Sequence, residues 1–158
     1  MKFIDTNVLV YAADDTDKAK QSIARTIVRD ALVKDEYIIS AQVLNEFVSV
    51  LLRKLKKTPE EVDEFLSVIQ EIRTVPVQPG WTRRALTTMR HFGLQFFDSL
   101  LLVAAEENGC DEMLSEDLND GQMYGSVKAI NPFSVLNGAK ISVKGDLFAD
   151  NSSLWENA

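Results

Sequence analysis

Residues 2–12, KFIDTNVLVYA, decide how the chain is read. Phe3 and Ile4 are strand formers, and an acid, Asp5, stands where that buried strand must stop. Thr6 and Asn7 compete for local backbone hydrogen bonds and favour caps and turns, after which residues 8–12 resume an apolar run. The stretch therefore predicts a strand, a turn at Asp5 and an immediate second element. In open parallel α/β sheets ligands bind beyond the carboxyl ends of the strands, which puts Asp5 at the mouth of a site. Capping of the following helix is the structural alternative, since Asp, Thr and Asn all serve there.

Outward from this stretch the alternation continues. Thr16 or Asp17 can cap a helix over 18–34, with Ala19, Ile23, Ile27, Ala31 and Leu32 as its apolar stripe. Residues 37–39 read as a strand and Ser40 as the cap of a helix over 41–55 that turns Val43, Phe47, Val50, Leu51 and Leu55 inward. Its basic end, with Arg53, Lys54, Lys56 and Lys57, suits a helix carboxyl terminus. Thr58, Pro59 and Glu61 form the signature of a capping box. A short strand at 75–77 carries Pro76, which confines it to a sheet edge. A helix over 81–92 stops at Gly93, with His91 on its surface.

Phe96 and Phe97 then lead into a helix that starts at Asp98, runs through LLLVAA and closes at Asn108 and Gly109. Met113 and Leu114 make a brief strand ending in Ser115, Glu116 and Asp117, residues 118–125 form a loop, and 127–130 is the last strand. From residue 138 the pattern weakens into an extended tail with scattered apolar residues such as Leu147, Phe148 and Trp155. The division expected is a domain over 1–137 and a tail or extension over 138–158. Alternating strands and helices predict an α/β fold with a mainly parallel central sheet and helices on both faces.

At 158 residues the chain fits one domain able to bury a core without metals or disulfides, and 46% apolar with 26% charged residues is a globular mix. The longest apolar run, 100–105, is far short of the ~20 residues of a bilayer span, and no secretory signal is visible, so no membrane role is expected. Cys110 is the only cysteine, which excludes an internal disulfide and suits a reducing cytoplasm. Twenty-four acidic against 17 basic residues give a formal charge of -7, which speaks against nonspecific coating of nucleic acid. A local basic patch or a bound divalent cation can still receive a phosphate backbone.

Four acids sit at telling positions: Asp5 and Asp117 at strand ends, Glu46 and Asp98 inside strongly apolar segments. Taken singly, each has a structural explanation: helix caps for Asp5 and Asp98, an exposed helix face for Glu46, a turn for Asp117. Together they point to a metal site. Clustered carboxylates raise one another's pKa, so a tight group of four needs a divalent cation to stay ionised. Oxygen ligands without His or Cys favour Mg²⁺ or Mn²⁺ over zinc. Such a site can activate water for attack on a phosphodiester. A phosphatase with a strand-end Asp nucleophile is a weaker reading, because Asn7 stands where that motif wants a second acid.

The stretches FIDTNVLVYA, VLNEF, FFDSLLLVAA, MLSEDLNDG and AINPF, in this order, resemble a PIN domain, and within that family the VapC-type toxin ribonucleases of toxin-antitoxin pairs. The resemblance covers about residues 2–136 and implies a three-layer α/β/α domain. It also implies a Mg²⁺- or Mn²⁺-dependent endoribonuclease, usually a homodimer, silenced by an antitoxin. Position by position, Asp5, Glu46, Asp98 and Asp117 match the metal-binding acids, Thr6 and Asn7 the polar pair after the first of them, and Ser115 the small hydroxyl before the last. Asn7 and Ser115 are expected to orient carboxylates or water. Glu116 and Asp120 are further candidates, with a solvated loop acid as the alternative for each. Arg53, Lys54, Lys56, Lys57, Arg83, Arg84 and Arg90 are candidate RNA contacts, with ordinary solvated helix faces as the alternative. The tail beyond Phe133 is longer than the resemblance implies. A catalytically silent PIN-like module, binding RNA or protein without cutting, is the competing reading.

Overall fold

The computed structural model describes residues 1–138. The elements run β1 (Lys2–Ile4), α1 (Thr6–Ala13), α2 (Lys18–Val33), β2 (Tyr37–Ser40), α3 (Ala41–Arg53), α4 (Pro59–Ile69) and β3 (Thr74–Val75). They continue with α5 (Trp81–Phe92), α6 (Phe96–Glu107), β4 (Glu112–Leu114), β5 (Met123–Tyr124), β6 (Val127–Ile130) and α7 (Ser134–Gly138). The tail expected beyond residue 138, with Leu147, Phe148 and Trp155, lies outside the described residues. Among the described residues no helix is long and apolar enough to cross a membrane.

The strands form one six-stranded sheet in the order β3-β2-β1-β4-β6-β5, parallel except for β5. The chain steps from β1 through β2 to β3 in one direction, then returns to add β4 on the other side of β1. α1 packs with α2 and α3, and α3 with α4, whereas α5 packs with α6, which contacts β4 and β6. The reversal between β1 and β4 is a topological switch point, and there the carboxyl ends of neighbouring strands diverge and open a crevice.

Local sequence explains most boundaries. Thr58 and Glu61 make the reciprocal capping box at α4, Glu61 N–H to Thr58 Oγ1 at 3.2 Å and Thr58 N–H to Glu61 Oε2 at 2.7 Å. Asp17 caps α2 and Ser40 caps α3 through their side chains. β3 lies at the sheet edge and stops before Pro76, which has no N–H to give a ladder. Residues 100–105 of α6 are all buried, as a helix apolar on every side requires.

Four expectations are corrected. α6 begins at Phe96 with Gln95 as its extended N-cap, so Asp98 lies inside the first turn instead of capping it. The stripe expected for α2 holds in part: Ala31 is buried and Ile23 and Ile27 pack partly buried against the core, but Gln21, Ala24 and Val28 are also buried, whereas Ala19 and Leu32 are exposed. The loop expected over 118–125 contains β5, paired antiparallel with β6 through the two-residue turn Gly125-Ser126. Finally, Phe133 anchors a short helix, α7, where the sequence suggested none.

Gly125 has φ 64°, a backbone conformation L-residues rarely adopt, and a Cβ there would lie 2.6 Å from Glu106 Oε1. That carboxylate accepts from Ser126 N–H (3.3 Å) and Ser126 Oγ (3.2 Å), tying the hairpin to α6. Gly125→Ala should therefore cost about 1–2 kcal/mol in urea unfolding, whereas an unchanged midpoint would contradict a docked turn.

Candidate active site

The crevice at the switch point becomes a cavity of ≈ 410 Å³ whose lining includes Asp5, Thr6, Asn7, Glu46, Asp98, Glu116 and Asp117. Parallel pairing of Ile4 with Leu114 sets Asp5 beside Ser115, and Asp5 N–H donates to Leu114 O at 3.0 Å. Glu46 comes from the middle of α3, which packs on α1, and Asp98 from the first turn of α6. Four segments far apart in sequence thus bring all four predicted acids to one cavity.

Asp5 is buried and fully hydrogen-bonded. Its Oδ1 accepts from Thr6 N–H at 2.6 Å, so it caps α1, and its Oδ2 accepts from Ser115 Oγ at 2.7 Å and Asn7 Nδ2 at 2.9 Å. Asp5 thus both caps α1 and lines the cavity. The Asn7 carboxamide also donates to Asp117 Oδ2 at 3.0 Å and lies 3.3 Å from Ser115 Oγ, while its Oδ1 accepts from Glu116 N–H at 3.2 Å. Asn7 is a bridge between two carboxylates, and Ser115 supports both, since its Oγ also accepts from Asp117 N–H at 3.1 Å. Across the cavity, Glu46 Oε2 accepts from Thr6 Oγ1 at 3.0 Å and its Oε1 from Gln42 Nε2 at 2.6 Å.

Asp98 is half-buried and has no hydrogen-bond or salt-bridge partner among the described residues. Burial raises its pKa, and the charges of Asp117 and Glu46 raise it further. Burial likewise pushes Asp5 up to about 7, against the lowering effect of the bonds from Ser115 and Thr6 and with the charges of Asp98 and Asp117 adding to the rise. Among the described residues, however, no three acids stand close enough to form a ready-made cation cage. The tight group of four expected from sequence is instead an open ring. Like charges repel, and neutral donors fix the carboxylates: Asn7 and Ser115 bridge Asp5 and Asp117, while Thr6 and Gln42 hold Glu46.

Glu116 lines the same cavity but is no solvated loop acid: Lys20 pairs with its Oε1 and Tyr11 OH donates to its Oε2 at 2.6 Å. Burial opposes its ionisation, yet the bonds from Lys20 and Tyr11 prevail and hold its pKa below the usual carboxylate value. Asp120 is exposed, accepts from Asn131 N–H at 2.8 Å, and is not among the residues lining the cavity. Sequence reasoning missed Gln42, which holds Glu46, and Tyr11 and Lys20, which hold Glu116. Gln42 stands one helical turn before Glu46, a spacing that could have revealed it; Lys20 has no local signal.

Of the basic candidates, Lys54 lines the cavity. Arg53 and Lys54 also line an adjoining groove that shares Glu46 and Val50 with it and contains the exposed Phe97. Arg84 is paired with Glu106 and Glu107, Lys57 lies 4.0 Å from Glu61, and Arg83 and Arg90 line neither space. His91 is exposed, its ring against Phe92.

Because the folded protein holds the Asp5 proton more tightly than the unfolded chain, this group's contribution to stability is present below about pH 4 and lost as pH rises through about 7. In chelator, the urea midpoint should fall between about pH 5 and about pH 8. Ser115→Ala, which removes a bond that lowers the Asp5 pKa, should cost about 1–3 kcal/mol and steepen that fall. A pH-independent midpoint in both proteins would contradict the account of Asp5.

Among solved structures, the chain is similar to VapC20 of Mycobacterium tuberculosis, a Sarcin-Ricin loop cleaving toxin, with a TM-score of 0.59 and 18% identity over 77% of this chain and 92% of that one. It is also similar to a toxin-antitoxin complex from Klebsiella pneumoniae, with a TM-score of 0.63 and 13% identity over 84% of this chain and 98% of that one. Identities this low establish likeness of fold. No curated protein matches the sequence significantly. The PIN domain model, in contrast, matches residues 2–119, a span that runs from β1 through the loop carrying Asp117, and the chain belongs to the PIN domain family.

Proposed function

We propose that this protein is a Mg²⁺- or Mn²⁺-dependent endoribonuclease, the toxin of a type II toxin-antitoxin pair. The observation that carries the reading is the convergence of Asp5, Glu46, Asp98 and Asp117 on one cavity at the sheet's switch point. The donor set fits a hard divalent cation: the four acids supply oxygen ligands, and neither His nor Cys lines the cavity. Asp5, Asp98 and Asp117 would hold the ion, with Glu46 completing the ring. Bound there, the cation would neutralise the carboxylates, polarise the scissile phosphate and lower the pKa of an attacking water.

The chain's own groups do the rest. Asn7 keeps Asp5 and Asp117 at a fixed separation, Ser115 and Thr6 orient the Asp5 and Glu46 carboxylates, and Gln42 holds the second Glu46 oxygen. The carboxylate of Glu46 or Asp98 can accept a proton from water entering the cavity. Lys54 at the rim and Arg53 beside it offer cations to the RNA backbone, which resolves the conflict between a polyanionic substrate and a net charge of -7.

The similarity to a toxin-antitoxin complex supports an antitoxin partner, and the family resemblance supports a homodimer. The similarity to a toxin that cleaves the Sarcin-Ricin loop supports RNA as substrate class. One observation favours the alternative of a silent binding module, namely that the acids form an open ring and not a closed cage.

Incubation of the purified protein, free of partner, with a structured RNA pool and Mn²⁺ separates the two readings. Sequencing of cut ends should show discrete cleavage by the native protein, abolished by chelator and reduced at least about 100-fold by Asp98→Asn. Retained RNA binding without cleavage in both proteins would establish the silent module.

A further inference from the structure

Behind the acid ring lies a second polar cluster that the proposed chemistry does not use. Glu116 lines the cavity next to Asp117, yet both its oxygens are engaged from the side of α1 and α2. Lys20 pairs with Oε1 and also donates to Tyr11 OH at 3.0 Å, and Tyr11 OH donates to Oε2. The ammonium sits 4.5 Å from the centre of the Tyr11 ring and 5.5 Å from that of Phe133, and those two rings meet edge to face at 4.9 Å. Lys20 is itself absent from the cavity lining and is only 22% exposed. An ammonium held by a carboxylate, a hydroxyl and two ring faces has little freedom to contact substrate.

We propose that Lys20 and Tyr11 are positioning residues for the acid site, acting through Glu116. They withdraw the Glu116 carboxylate from the ring of metal-binding acids, so that the ring holds four charges and not five. They also fix the Glu116 backbone, whose N–H orients the Asn7 carboxamide across Asp5 and Asp117. Phe133 closes the far side of the Lys20 site and so links the end of the domain to its catalytic edge. This inference rests on the nuclease reading for its effect on cleavage, but the clamp itself is a statement about the metal-free protein.

Three readouts on the full chain test it, using Lys20→Met, Lys20→Arg and Lys20→Met combined with Glu116→Gln. Lys20→Met frees a fifth charge. It should lower kcat for RNA about tenfold at unchanged KM, shift Mn²⁺ affinity measured by calorimetry, and move the Asn7 side-chain amide signals in the ¹⁵N spectrum of metal-free protein. Lys20→Arg should restore kcat to within about threefold, and the double variant should recover Mn²⁺ affinity because the surplus charge is gone. A rise in KM alone would overturn the inference by making Lys20 a substrate contact. A loss of activity that only tracks a loss of folded protein would overturn it in favour of plain stability. If the native protein neither binds Mn²⁺ nor cleaves, the nuclease reading fails. The Asn7 signals then decide the clamp alone: moved by Lys20→Met they support it, unmoved they refute it.

Discussion

Like charges at a sheet edge repel, and the site depends on how that repulsion is managed. Asp5 is buried with Asp98 and Asp117 close enough to raise its pKa, while the Asp98 carboxylate carries the fields of Asp117 and Glu46 without a hydrogen bond to its side chain among the described residues. The fold answers with neutral donors. Ser115, Asn7, Thr6 and Gln42 each give a hydrogen bond to an acid, and each is set by an element already needed for the core. What remains uncompensated is Asp98, and a divalent cation is the chemical species that would relieve it.

The same constraint orders the wider surface. A chain with seven surplus negative charges places Lys54 in the lining of the acidic cavity and Arg53 in the groove beside it. Several other cations are paired locally, as Arg84 is with Glu106 and Glu107 and Lys34 with Asp30. Arg53 and Lys54 stand at the carboxyl end of α3, where the helix dipole favours cations. Exposed Phe97, one residue before Asp98, adds an apolar wall to the same groove.

Much of this was legible in the sequence, for identifiable reasons. The run from Phe3 to Asp5 and the capping box at Thr58 are local signals, in which propensity and hydrogen-bond chemistry agree with the final fold. The four acids were found because each interrupts an apolar pattern or ends a strand, and Asn7 because it follows the first of them. β5 was missed because two residues are too few to carry alternation, and its pairing is fixed by a glycine turn docked on Glu106. The stripe of α2 was legible in part: Ile23, Ile27 and Ala31 meet the core as their apolar spacing implies, while the polar Gln21, buried beside Ala24 and Val28, carries no hydropathy signal. Lys20 and Tyr11 were invisible as site residues because their partner, Glu116, is about a hundred positions away and only the fold joins them. Nor could spacing alone show that the acids ring the cavity openly instead of closing on one another.

The central claim is that these carboxylates are an incomplete charge cluster which a divalent cation completes. Thermal unfolding of the metal-free protein, with and without Mn²⁺, across a pH series from about 5 to about 8, tests it most directly. If protons and cation compete for Asp5 and Asp98, the rise in Tm produced by Mn²⁺ should grow as pH increases through about 7 and should shrink in Asp5→Asn. A rise that is absent, or equal at every pH and unchanged in Asp5→Asn, would contradict the account.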